Sequence, residues 1–462
     1  MTITVITGFA MSCKAGDFTK YVNPMIGTGA VENSLSGNNH PAATVPYGMV
    51  QLGPDTHIAP DWYNASGYNY NDSTIYGFTH TRLSGTGASD LIDVSLFPTT
   101  TRAESSRFSH TIEIATPGYY GVRLADENIM AELTATPRVG IHRYTYPEAG
   151  NMNLWIDMER SANKASLTTT HLNFPVKVWE KYGYMPENVQ SQSVSITLEA
   201  SYDDWCAAQI AQYVGNEADY KHFIARSRNF ENLYNHKTHF FQPKDDKGEW
   251  IEPFDPLKYG ANGGYPFTEG NAWQYYWYVP HDVKRLIELT GGNRMMEKKL
   301  DDFFTITDTS GEKNDNISGM IGQYAHGNEP SHHVAYLYNY VGKPRKTQDM
   351  VHRIMTQLYD NTSAGYSGND DCGEMSAWYV FGAMGFYPVN PADGTYQLGT
   401  PLFTRCTLHL ENGKELKIVA KTANKTYYHV RQVKLNGKVL KGTALKHSDI
   451  MNGGLLEFYM CK

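Results

Sequence analysis

The sequence predicts a multidomain β + α protein: an N-terminal antiparallel β-sandwich, a helical middle and a C-terminal set of strands. Three observations predict it. Up to about residue 170, short β-branched and aromatic runs are separated by turn signals. From about 186 the apolar residues recur at helical spacing, and after Pro388 they return to strand-like runs. At 462 residues the chain has room for two or three domains, each with a core of useful size. The expected divisions are 1–17, 18–170, 171–388 and 389–462.

The first division, TITVITGFAM at 2–11 followed by Ser12 and Cys13, reads as the end of a secretory signal with a lipid-modifiable cysteine. The basic residues that normally precede such a stretch are missing, and a buried first strand is the alternative. With the anchor at Cys13 the protein belongs in the periplasm or at the cell surface. No run of 18 apolar residues follows, so no membrane span is expected.

In the second division, turn phrases at 46–48, 53–55, 85–87 and 117–121 punctuate strand-like runs at 111–114, 121–125 and 141–146, the composition of an antiparallel sandwich. The glycine-rich phrases at 21–29 and 77–87 lack the GxxxxGK pattern of a phosphate loop.

The third division opens with Val194, Leu198, Tyr202 and Trp205 on one helix. Gly215 stops it, and Asn216 with Asp219 caps the next, whose apolar side is Tyr220, Phe223, Ile224, Phe230 and Tyr234. Further helices are expected at 272–291, 294–305, 330–341, 346–358 and 374–385. In the fourth division the AsnGly at 436–437 predicts a hairpin between alternating runs.

Composition narrows the function. Charged residues make up 19% and the net charge is −8, so the basic footprint of a nucleic-acid binder is absent. The 33 Tyr and 8 Trp suit a neutral polar ligand such as carbohydrate. Five cysteines without a CxxC pair exclude a metal finger and argue against a disulfide scaffold.

Three stretches carry candidate chemistry. Glu269 sits among Tyr265, Phe267, Trp273, Tyr275, Tyr276, Trp277 and Tyr278. A carboxyl against apolar rings has a raised pKa and can act as a general acid; as a plain alternative it stabilises a helix start. In AHGNEPSHH at 325–333, Pro330 leaves Glu329 at a helix mouth, facing an opening with Asn328 and His326. Oxygen ligands there suit calcium, whereas His326, Glu329 and His332 or His333 suit zinc. The bland alternative is a capped helix with core histidines. In GNDDCGEMSAWYVF at 368–381, Asn369, Asp370, Asp371 and Glu374 supply more oxygens than one helix cap needs.

Those phrases, with YVNPMIGTG at 21–29, PYGMVQLGPDT at 46–56, GFTHTRLSGTG at 77–87 and TEGNAWQY at 268–275, resemble glycoside hydrolase family 92 in family order. That family comprises calcium-dependent exo-acting α-mannosidases of Bacteroidetes. The resemblance implies a β-sandwich on an (α/α)6 barrel with the site between them, and an inverting reaction on terminal α-linked mannose of oligosaccharides or N-glycans, α-1,2 linkages first. It implies Glu269 as general acid, Asp371 as general base, Asn369 where some members carry a second acid, Glu329 as calcium ligand, and His326, Trp273 and His80 at the mannose subsite. One departure matters. The chain passes from Asp157 to Lys181 without the first helical hairpins of the family's barrel. An incomplete barrel implies exposed apolar flanks on the helix near Ser191 and on the one near Trp378, self-association, and weak or no turnover. The second reading is a non-catalytic, calcium-dependent mannan-binding lipoprotein.

Overall fold

The computed structural model describes residues 18–29, 37–57, 64–87, 89, 91–92, 94–147, 151–157, 176–260, 266–307, 318–421 and 427–462. The expected leader with Cys13, residue Tyr265 and most of the 158–178 junction lie outside the described residues.

Two four-stranded antiparallel sheets form the N-terminal part. One runs in the order Gly53–Asp55, Gly77–Thr79, Ser95–Thr99, Asn153–Asp157; the other is a meander through Glu113–Thr116, Tyr119–Leu124, Ile129–Ala135 and Gly140–Thr145. In Ile129–Ala135 alternate residues are buried, and Leu133, Ala131 and Ile129 share a single core with Leu52 and with Phe78 and Phe97 of the other sheet. The fully buried Arg82–Asp55 pair sits under this core, with Arg82 also donating to Gly53 O, Pro54 O and Ser66 O. A buried guanidinium with that many acceptors locks the loop that follows strand Gly77–Thr79.

The middle is helical: α1 (Val176–Tyr182), α2 (Ser193–Tyr213), α3 (Glu217–Arg226), α4 (Ala272–Tyr275), α5 (Val283–Thr290), α6 (Asn293–Phe303), α7 (Pro344–Gln357) and α8 (Glu374–Met384), with a 3-10 helix at Val334–Val341. Gly215 ends the α2 segment at φ +77°, and the Asn216 side chain accepts from Asp219 N, as expected. Phe230 and Tyr234 are not on α3 but on a 3-10 turn and a short strand beyond it. The helix expected over 272–291 breaks after α4, where Pro280 cannot donate to the helix ladder and opens a separate 3-10 turn into α5. Likewise 330–341 is 3-10 rather than α-helical. Neighbours pack in succession, α2 on α3, α5 on α6, both on the 3-10 helix, that helix on α7 and α7 on α8. Their shared core includes Leu198, Phe230, Trp277, Leu300, Tyr324, Ile354 and Trp378.

The C-terminal part is a five-stranded sheet in the order Arg405–His409, Glu415–Lys421, Gly454–Cys461, His429–Leu435, Lys438–Val439, beside a three-stranded sheet that continues from α8. The hairpin turn falls at Asn436 and Gly437, both with positive φ. Among the described residues no helix is long and apolar enough to cross a membrane.

Candidate active site

Glu269 lies on the turn before α4, with φ +47°. The turn is held on both sides: Thr268 N donates to Ser195 Oγ at 2.9 Å, and the Glu269 carbonyl accepts from Asn328 Nδ2 at 2.9 Å. The helix start is served by Asn271, which forms a capping box with Gln274. The Glu269 carboxylate therefore has no capping duty. It is half-buried, and burial first, then the charge of Glu329, raises its pKa. The expected wall of aromatic rings is not its setting. Phe267, Trp273, Tyr275, Tyr276 and Trp277 turn into the core, and Trp273 packs edge-on against Phe240 at 5.0 Å.

Asp371 lies before α8 with φ +48°, followed by Cys372 at +56°. The helix start is organised by its neighbour Asp370, whose Oδ1 accepts from Ser376 N and Ser376 Oγ, each at 2.9 Å. The two aspartates divide the labour that the sequence left joined. Asp371 hydrogen-bonds to Glu329, and burial, that bond and the nearby charges of Glu329, Glu374 and Glu269 push its pKa up to about 8. Asn369 accepts from Asn38 Nδ2 at 3.0 Å and so tethers this loop to the sandwich.

Glu329 is exposed at the start of its 3-10 turn and is the carboxylate to which Asp371, Glu269 and Glu199 all respond. Glu199, on α2, was not expected. Burial first, then the charges of Asp203 and Glu329, push its pKa up to about 7. Its carboxylate lies 3.4 Å from Tyr275 Oη. Asp203 stands one turn further along α2, a like-charged i,i+4 neighbour whose charge adds to the rise.

The remaining candidates lie elsewhere. His326 is fully buried, its Nδ1 at 2.7 Å from Tyr324 Oη and its Nε2 at 2.6 Å from Tyr359 Oη, so it does not face an opening. His332 spends Nδ1 on Glu374 and Nε2 on the His326 carbonyl, and His333 Nε2 meets the Trp277 carbonyl. The zinc reading fails, because these nitrogens are already engaged. His80 pairs with His142 and the Val94 carbonyl inside the sandwich. Among the described residues no three His, Cys, Asp or Glu side chains gather closely enough to hold a metal by themselves. A hard cation still fits at Glu329: two carboxylates in mutual hydrogen-bond reach share either a proton or a cation, and the further donors would be backbone oxygens and water.

Residues 21–220 match the glycosyl hydrolase family 92 N-terminal domain, and residues 138–462 match the glycosyl hydrolase family 92 catalytic domain. The chain belongs to glycosyl hydrolase family 92. Its fold is similar to that of a family 92 α-mannosidase from Bacteroides thetaiotaomicron, solved with mannoimidazole, at TM-score 0.88 and 25% identity over 96% of this chain and 94% of that one. An inverting family 92 mannosidase from Bacteroides thetaiotaomicron shares the fold at TM-score 0.77 and 22% identity, over 97% of each chain. A curated secreted glycosidase of uncharacterised activity from Arthroderma benhamiae is 28% identical over 308 residues, 61% of this chain and 37% of that protein. The chain thus spans little more than a third of the length of that curated relative, whereas its overlaps with the two mannosidase structures are nearly end to end.

Proposed function

We propose that the chain is an exo-acting α-mannosidase that inverts the anomeric centre. The observation that carries this reading is the meeting of Glu269 and Asp371, from turns 102 positions apart, around one accessible carboxylate, Glu329. Both turns are left-handed at a non-glycine residue, a conformation that costs about 1–3 kcal/mol and that concentrates at functional sites. Mannose as substrate rests on family membership and on the relative solved with mannoimidazole.

In this mechanism Glu269, protonated because burial and Glu329 disfavour its charge, gives its proton to the departing glycosidic oxygen. Asp371 acts in its ionised form, which a cation at Glu329 would favour against the like charges that raise its pKa, and takes a proton from the water that attacks the anomeric carbon from the opposite face. Calcium at Glu329, when bound, would engage sugar hydroxyls and favour the distorted ring. Asn369 holds the Asp371 loop rather than a second water. His326 and Trp273 support the site from the core, and His80 from the sandwich.

Hydrolysis of mannobiose followed by proton NMR tests the reading: β-mannose appears first. Initial α-mannose, or no release at all with calcium present, sinks it. Chelation abolishes sugar binding and calcium restores it; restoration by zinc alone would remove calcium from the proposal.

A second reading, calcium-dependent binding of mannan without turnover by a surface lipoprotein, is favoured by one observation. No residue of α3 is buried, as a helix at the open end of a shortened (α/α)6 barrel would be. Binding of mannose oligosaccharide without release from an activated aryl α-mannoside selects it.

A further inference from the structure

The loop that carries Asp371 is built into the sandwich by backbone hydrogen bonds. Asp371 N donates to Gly85 O and Cys372 N to Ser84 O, both at 2.9 Å; Gly37 N donates to Gly368 O at 2.6 Å and Asp370 N to Gly37 O at 3.0 Å. Gly85 N in turn donates to Asn38 O at 2.9 Å, and the Asn38 side chain bridges Asn369 Oδ1 and Ala65 N. Two sandwich loops therefore grip this loop of the catalytic half.

What they grip is a strained segment. Asp371, Cys372 and Gly373 are left-handed in succession, at φ +48°, +56° and +100°. For the two with side chains this conformation is strained, so something outside the loop has to maintain it. The two amides fixed by Ser84 and Gly85 belong to those same two residues. Gly85 is itself left-handed at φ +81°, and a Cβ placed on it would stand 2.7 Å from Asp371 N and 2.8 Å from Asp370 Cβ.

We propose that Gly85 is a positioning residue for Asp371: its missing side chain lets the sandwich backbone hold the carboxylate in its left-handed, water-activating pose. The inference rests on the assignment of Asp371 as general base. The sandwich is then part of the catalytic apparatus through its main chain.

The test compares Gly85→Ala with Gly118→Ala. Gly118 shares the strain, at φ +77°, but a Cβ there has Thr44 O at 3.7 Å as its neighbour and no link to the catalytic loop. A misplacement on the scale of 1 Å costs about 10²-fold, so G85A lowers kcat on mannobiose by that order with KM little changed, while G118A keeps wild-type kcat. Asn38→Gly, which adds no bulk and keeps the positive φ, lowers kcat in the same sense. Amide exchange over residues 366–376 accelerates in G85A and not in G118A. The proposal is overturned if G85A and G118A lose kcat equally, if KM rises while kcat holds, or if exchange at 371 and 372 is unchanged. A wild-type chain without turnover would refute the proposed function instead, and the exchange comparison would still decide whether Gly85 holds the loop.

Discussion

Two carboxylates with opposite tasks need opposite protonation; protein neighbours raise the pKa of both, and a cation beside Glu329 would be what lowers that of Asp371. Glu269 owes its raised pKa to burial and to Glu329, so it keeps its proton above the ordinary carboxylate range. The consequence is directional: activity falls on the alkaline side as Glu269 ionises. Glu269→Gln removes the proton donor and lowers turnover of mannobiose by about 10² to 10⁴. An aryl mannoside with an acidic leaving group is affected far less, and with it the alkaline fall disappears from the pH profile. Full activity of the variant on mannobiose would remove Glu269 from the mechanism.

At the scale of elements, the catalytic turns depend on caps that free the acids beside them. Asp370 accepts two bonds from Ser376 at the start of α8. Asp370→Ala leaves that start unsatisfied in a buried setting and lowers stability by about 1–2 kcal/mol in denaturant titration. Much of this organisation was legible. The stop at Gly215, the Asn216 cap, the AsnGly hairpin and the order of sheets and helices follow from local chemistry that a few neighbouring residues determine. That Glu269, Asp371 and Glu329 would come together was expected from motif and family resemblance, and their charges do act on one another. The surroundings of His326 and Trp273 were not legible because burial is not local: only the packed core shows that His326 meets two tyrosine hydroxyls and that Trp273 faces Phe240. Glu199 was hidden by a helix whose other residues read as core. Gly85 was hidden because its partner amides lie more than 280 positions away.

Across the whole molecule, histidines held neutral by burial are scattered through its parts. Burial lowers the pKa of His40 to about 3 and those of His142, His281 and His333 to about 4. Each has an unfolded value near 6.5, so between pH 6.5 and about 4 the unfolded chain binds protons that the folded chain refuses. The stability they contribute is present above pH 6.5 and is lost as pH falls through that window. These histidines should therefore lower the melting temperature from pH 6.5 to about 4, while the raised carboxyls Glu199 and Asp371 act in the opposite sense and lower it as pH rises through about 7 to 8. Replacing His281 with Gln should soften the acid slope, and an unchanged slope in that variant would remove His281 from the account.

The same scale decides how the chain behaves in solution. On the helix expected to expose an apolar flank near Trp378, that ring is itself 1% exposed and donates to the His332 carbonyl. Exposure falls instead at the far end of α2, where Ile210, Tyr213 and Val214 are 65%, 92% and 67% exposed, and on Val380 of α8. It recurs on Asn153–Asp157, an edge strand of its sheet, where Leu154, Trp155 and Ile156 are all exposed. Apolar surface gains about 25 cal/mol for each Å² removed from water. Together these favour association between copies. Sedimentation should find species heavier than the 52.0 kDa monomer. Ile210→Glu with Val214→Lys should shift the distribution toward the monomer without lowering the melting temperature, because neither side chain belongs to the core. A wild-type chain that stays monodisperse at 52.0 kDa across micromolar concentrations would show that these faces are too small or too divided to bind a second copy.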